Sequence, residues 1–177
     1  LLDFRSQVLE PARADLGRLA AGVAEAVNTQ HRAGVDLRGS FGTDFFATGP
    51  VDSVERSTNA GSADVTATIT SASALTGADY ELSYNGTAWS MKRLDSGATV
   101  TLAGTGTVAD PLRADGLSMV VSGAPASGDT VLVRPTRELI QGMSVLVSDA
   151  TRVAAAAPIA ASAAASNVGG ATITRGE

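Results

Sequence analysis

Apolar residues change their spacing along this chain. Leu9, Ala12, Leu16, Leu19, Val23 and Val27 step by three and four residues, the spacing of one helical face. Glu10, Arg13, Asp15, Arg18 and Glu25 fall largely outside that stripe. A proline inside a helix loses a hydrogen bond and costs about 3 kcal/mol, whereas at the first helical position its missing N–H is harmless. The pattern therefore predicts a helix over 11–33 that opens at Pro11, with residues 1–9 as the tail of an earlier helix. Gly34 supplies the C-terminal stop. The stripe is too narrow for a self-contained core and needs partner helices. The start at Leu1, inside an apolar pattern, reads as a piece of a longer chain.

Beyond Gly34 the period is lost. Gly39, Gly42 and Gly49 punctuate residues 35–61, and Phe45-Phe46 is the strong apolar anchor there. This stretch reads as a connector, with the Phe pair joining helix to β domain. From residue 62 the period becomes two. Ala63, Val65, Ala67 and Ile69 alternate with Asp64, Thr66, Thr68 and Thr70, as in a strand with one wet face. Ala98–Leu102, Leu117–Val121, Val131–Val133 and Met143–Val147 continue the alternation. Asn85-Gly86 between two alternating runs predicts a two-residue type I′ hairpin. That turn pairs Tyr84 with Thr87, Leu82 with Trp89, Tyr80 with Met91 and Asp79 with Lys92. Residues 150–177 are Ala-rich, with one helical turn expected at Val153–Ala157 and a further strand start at Thr172–Thr174.

The predicted class is α+β: a helical segment, the end of a helical bundle domain, joined to a small antiparallel β-sandwich or barrel-like domain. The expected order is residues 1–38 as the end of the helical domain, 39–61 as connector, and 62–150 as the antiparallel β domain. Residues 151–177 follow as an Ala-rich linker to a further domain.

Composition removes several functions. The chain of 177 residues has a net charge of −5 and 13 scattered basic residues, which argues against nucleic-acid binding. No apolar run reaches the length of a membrane-spanning helix. The chain has no Cys and one His, which removes disulfides and thiolate or His-rich metal sites. Gly104-Thr105-Gly106 does not extend to a dinucleotide fingerprint, and no phosphate-loop lysine or Gly-x-Ser-x-Gly occurs. Asp36, Asp44 and Asp52 are too far apart for a calcium loop and read as solvated turn residues. His31 is a capping or packing residue at the helix end, with a general base as the sharper alternative. Trp89 is a core residue or a sugar-stacking platform. Phe45-Phe46 is domain packing or a partner hot spot. No catalytic, cofactor-binding or metal-ligating residue is assigned, and the expectation is no enzyme and no cofactor.

One resemblance sharpens this picture. Asn28-Thr29-Gln30-His31 through Gly34-Val35-Asp36 and Gly39, followed by Gly42 and Phe45-Phe46, resembles the flagellar hook-associated protein 1 family. Leu1–Arg5, Leu9–Arg13 and Leu16–Ala20 resemble that family's helical region. Gly128–Thr136 and Asp149–Ala157 resemble segments nearer its middle. The resemblance implies an internal piece of a structural subunit of the bacterial flagellum, at the junction between hook and filament, secreted and extracellular. The implied partners are copies of itself, hook and other hook-associated proteins, and an export chaperone through terminal regions this piece lacks. No nucleic acid or membrane partner is implied, and the isolated piece is expected to be a monomer. The alternative is an extracellular adhesin or carbohydrate-binding module presenting Trp89.

Overall fold

The computed structural model describes Phe4 and residues 8–157. Helix α1 (Glu10–Ala33) leads into short strands β1 (Phe46–Ala47) and β2 (Asp52–Glu55), then β3 (Asp64–Ile69), β4 (Tyr80–Tyr84) and β5 (Trp89–Arg93). The chain continues through β6 (Thr99–Val100), β7 (Leu112–Ala114), β8 (Leu117–Ser122), β9 (Thr130–Arg134) and β10 (Ser144–Val145). A five-stranded sheet runs β2-β9-β4-β5-β6, a three-stranded sheet runs β3-β8-β7, and β1 pairs with β10. The class is α+β with an open sandwich, and neither sheet closes into a barrel.

By internal contacts the chain forms two compact units. One holds residues up to Glu25 with Ala47–Ser144; the other holds Ala26–Phe46 with the segment from Val145 on. In the first, the inner faces of both sheets meet over one core. Val65 and Ala67 of β3, Leu117 and Met119 of β8, Leu112 of β7, Tyr80 and Leu82 of β4, Met91 of β5, and Val131 and Val133 of β9 are all buried there. The alternation read for 64–69 is the alternation found: Val65 and Ala67 are buried, and Asp64, Thr66 and Thr68 are exposed. The stretch read as connector contributes β1 and β2, and β2 pairs with β9 along its length. Of the strand read at Met143–Val147, only Ser144–Val145 forms.

The hairpin is shifted. Tyr84 faces Trp89, Leu82 faces Met91, and Tyr80 faces Arg93, so Asn85–Ala88 form a four-residue loop. The reason is the asparagine. Its φ is not positive, so a type I′ turn is closed to it. Its side-chain oxygen instead accepts from the N–H groups of Thr87 at 2.9 Å and Ala88 at 2.8 Å. A shift of two residues in the pairing keeps each side chain on its face, so Tyr80, Leu82, Tyr84, Trp89 and Met91 still point inward. The Asp79–Lys92 pair is lost: Lys92 faces Glu81, and Asp79 accepts from Arg137 Nη2 at 2.5 Å. The two-residue primed turn lies instead at Asp115-Gly116, with φ of 47° and 79°, joining Ala114 to Leu117. Asp115 is further held by Tyr80 Oη, which donates to it at 2.9 Å, and by Arg93 Nε at 3.0 Å.

Helix α1 presents two faces of different size. A π turn at Val8–Leu9 runs into it, which opens the ladder just ahead of the proline that would break it. The tail of an earlier helix expected over 1–9 falls mostly on residues 1–3 and 5–7, which lie outside the described residues. The bulky stripe is exposed, with Leu16 at 56%, Leu19 at 66% and Val23 at 53%. Ahead of the last turn the buried positions are small: Gly17, Ala21 and Ala24. Small side chains are required because a Cβ on Gly17 would overlap the Thr136 carbonyl and lie 2.9 Å from its Cβ. Polar contacts flank this face. Glu25 accepts from the Ala72 N–H at 2.6 Å, Arg18 donates to the Thr76 carbonyl at 3.2 Å, and Arg137 pairs with Glu10 at 2.6 Å.

Candidate functional site: a polar clasp at the helix end

Among its described residues the second unit has no large apolar core. Its order comes from polar side chains bonded to backbone. The last turns of α1 place Asn28 and His31 three residues apart, hence on one face. Asn28 accepts from the N–H groups of Phe45 at 2.9 Å and Phe46 at 2.8 Å, and donates to the Phe46 carbonyl at 2.9 Å. One amide therefore satisfies three backbone groups that would otherwise be partly buried without partners.

His31 binds two further segments. It is 6% exposed. Its Nδ1 lies 2.6 Å from the Thr43 carbonyl oxygen, and its Nε2 accepts from the Ala154 N–H at 2.9 Å. This network assigns the neutral tautomer with the proton on Nδ1. The ring meets Phe45 edge-on at 5.4 Å, and Phe45 meets Phe46 edge-on at 4.9 Å. Both glycines here are set by close approach. A Cβ on Gly34 would overlap the Ala154 carbonyl, and one on Gly42 would overlap the His31 carbonyl and lie 2.6 Å from Ala154 Cβ.

The segment 34–44 forms a hook against the returning chain 145–157. Val35 and Ala156 exchange backbone bonds at 2.8 and 3.2 Å, and Leu146 N–H donates to the Phe45 carbonyl at 2.8 Å. Asp36 turns the hook by accepting from the N–H groups of Arg38 and Ser40, both at 2.9 Å. Arg38 pairs with Asp149 at 2.6 Å, and Arg32 pairs with Asp44. The Thr151 hydroxyl and N–H, followed by Arg38, hold the Asp149 carboxyl below its usual range. The helical turn expected at 153–157 is absent. A short 3-10 turn at Ala150–Arg152 takes its place, because Ala156 is committed to the bridge with Val35.

This arrangement holds backbone. Both imidazole nitrogens are engaged, and no nucleophile is bonded to the ring. His31 thus packs and binds loop backbone rather than capping the helix. Asp36 and Asp44 serve turn and ion pair, and Asp52 pairs with Arg134 at 3.2 Å. Among the described residues no cluster of three or more His, Cys, Asp or Glu could hold a metal ion, and no helix is long and apolar enough to cross a membrane. Phe45 and Phe46 find their ring partners in His31 and each other. Trp89 is half-buried, its ring 5.1 Å from that of Tyr84. It sits on a cavity of about 440 Å³ lined also by Leu102, Leu112 and Val121. Its expected partner Leu82 faces Met91 instead. The sequence motif pointed to Asn28 and His31, but their shared hold on Phe45, Thr43 and Ala154 had no local signal.

The helix, hook and sandwich match known proteins. Residues 1–46 match the model of the helical domain of flagellar hook-associated protein FlgK, and residues 54–135 match that of the D2-like domain of flagellar hook-associated protein 1. The chain belongs to the flagellar hook-associated protein 1 family. Within it, flagellar hook-associated protein 1 of Escherichia coli K12 is 39% identical over 156 residues, 88% of this chain. That of Salmonella typhimurium LT2 is 34% identical over 157 residues, also 88% of this chain. The flagellar hook junction protein FlgK of Burkholderia pseudomallei superposes with a TM-score of 0.79 at 35% identity over 89% of this chain. The chain spans 28% of the length of each of these three relatives.

Proposed function

We propose that this chain is a structural, non-catalytic part of a bacterial flagellum, built into the protein that joins hook to filament. The observation that carries this reading is the superposition of helix and sandwich on a hook junction protein over nearly the whole chain. That likeness favours a flagellar role over an adhesin presenting Trp89. In this reading the protein is exported, lies outside the cell, and meets copies of itself, hook protein and other hook-associated proteins. An export chaperone is engaged by regions beyond this piece. The proposed order is the end of a helical domain, a connector, a β domain and an Ala-rich linker to a further domain. The exposed residues Leu9, Ala12, Leu16, Leu19 and Val23 step by three and four, which is a coiled-coil seam. It receives helices encoded elsewhere in the parent chain. The piece alone is a monomer in dilute solution.

Val108 is 84% exposed, so Val108→Cys adds a labelling site in this piece of the parent protein, and flagella carrying the unaltered protein give the background label. Electron microscopy of flagella labelled there is expected to show a band at the boundary of hook and filament. Label spread along the filament or over the cell body would overturn the reading.

A further inference from the structure

We infer that His31 is a proton-sensitive latch for the returning segment 145–157. In the observed state one neutral imidazole joins three stretches of chain: the helix that carries it, the hook at Thr43 and the return at Ala154. Nδ1–H donates to a carbonyl, and the Nε2 lone pair receives an N–H. Both bonds are needed, since the ring is 6% exposed and little water replaces a lost partner.

Protonation acts on one of the two bonds only. Imidazolium carries N–H on both nitrogens. Nδ1–H···O=C Thr43 survives, and in charged form is strengthened. At Nε2 a donor now faces the Ala154 donor, and the bond becomes a repulsion. The ring stays with the hook and lets go of the return. The close packing of Gly34 and Gly42 against Ala154 leaves no slack for Ala154 to find another acceptor in place. The Val35–Ala156 bridge, two residues on, is the next contact to loosen.

The charged groups around this ring do not supply a substitute. On the helix Arg32 pairs with Asp44 of the hook. Asp36 of the hook is occupied by the N–H groups of Arg38 and Ser40. Arg38 pairs with Asp149 of the return, with Arg152 near the same carboxylate. The hydrogen bonds of the imidazole go to backbone alone. Histidine is the side-chain type that gains charge in mildly acidic conditions, and gaining it removes the one acceptor that holds the Ala154 N–H.

The test is NMR on the 177-residue chain between pH 7.5 and 5. Imidazole nitrogen shifts report tautomer and protonation, and hydrogen exchange reports protection factors. The expected result is the Nδ1–H tautomer at high pH, with Ala154 protection falling about tenfold or more as the ring protonates. Ala156 follows, while Leu82 in the sandwich and the Asn28-held Phe46 amide stay protected. His31→Gln, which cannot titrate, is expected to remove the step. An Nε2–H tautomer, constant Ala154 protection through the titration, or the same drop in His31→Gln would each overturn the latch. The wild-type titration decides even if His31→Gln fails to fold.

Discussion

The two compact units are held by opposite means. The sandwich unit is ordered by apolar side chains that two sheets press together, and many of its contacts are interchangeable in kind. The clasp unit is ordered by Asn28, His31, Asp36 and Asp149, each bonded to backbone or to a charge. Apolar burial is non-directional and scales with area; a hydrogen bond depends on angle and on a donor meeting an acceptor. The sandwich should therefore lose stability in proportion to the volume removed, and the clasp through single polar atoms.

The largest expected effect tests the sandwich side. Leu82 is fully buried between Met91 and Val131. Leu82→Ala should lower the unfolding free energy of the sandwich by about 2–5 kcal/mol in urea titration, the usual cost of such a cavity. Next comes a charge effect inside that apolar core. Burial first, then the Asp115 hydrogen bond and charge, push the Tyr80 phenol up to about 12. Its folded value lies above the unfolded value of about 10, so the stabilisation is complete below pH 10 and is lost as pH rises towards 12. Two units correspond to about 2.7 kcal/mol. Tyr80→Phe should flatten that alkaline loss in denaturant titrations.

Asn28→Ala tests the clasp side. It strands two N–H groups and one carbonyl and should cost about 1–3 kcal/mol locally. Amide exchange should accelerate at Phe45 and Phe46 while Leu82 is unchanged; an equal acceleration at Leu82 would break the contrast between the units. A smaller comparison sits within the sandwich. Gly86→Val and Gly116→Val both put a β-branched residue at positive φ, a strain of about 1–2 kcal/mol. Gly116→Val should cost more, since its Cβ would also overlap the Ser71 carbonyl. Thermal midpoints of the two variants give the order directly. The smallest effect belongs to the open seam: Leu19→Ser should change the stability of this piece by less than about 0.5 kcal/mol, because Leu19 is 66% exposed. A larger loss would mean that the stripe is covered within the piece.

Local chemistry explains which expectations held. The alternation at 64–69 and at Leu117–Val121 is a property of neighbouring residues, and the structure repeats it. Asn85-Gly86 and Asp115-Gly116 carry similar turn signals, yet only the second forms the primed turn. The choice rests on Asp115 meeting Tyr80 and Arg93, which are 35 and 22 residues away, and on Asn85 spending its side chain on its own loop. The short strands β2 and β7 carry too few residues to show a period, and pairing with β9 and β8 defines them.

By itself the sequence determined the helix, the wet and dry faces of the main strands, the lack of Cys and of catalytic motifs, and the motif from Asn28 to Phe46 that marks the family. These follow from residue type and spacing within one element. Tertiary structure alone decided that the helix buries Gly17, Ala21 and Ala24 and leaves the leucines open. It also decided the hairpin register and the meeting of His31 with Ala154. Each of those depends on how closely distant backbones approach and on which donor finds which acceptor, and no local period encodes that distance.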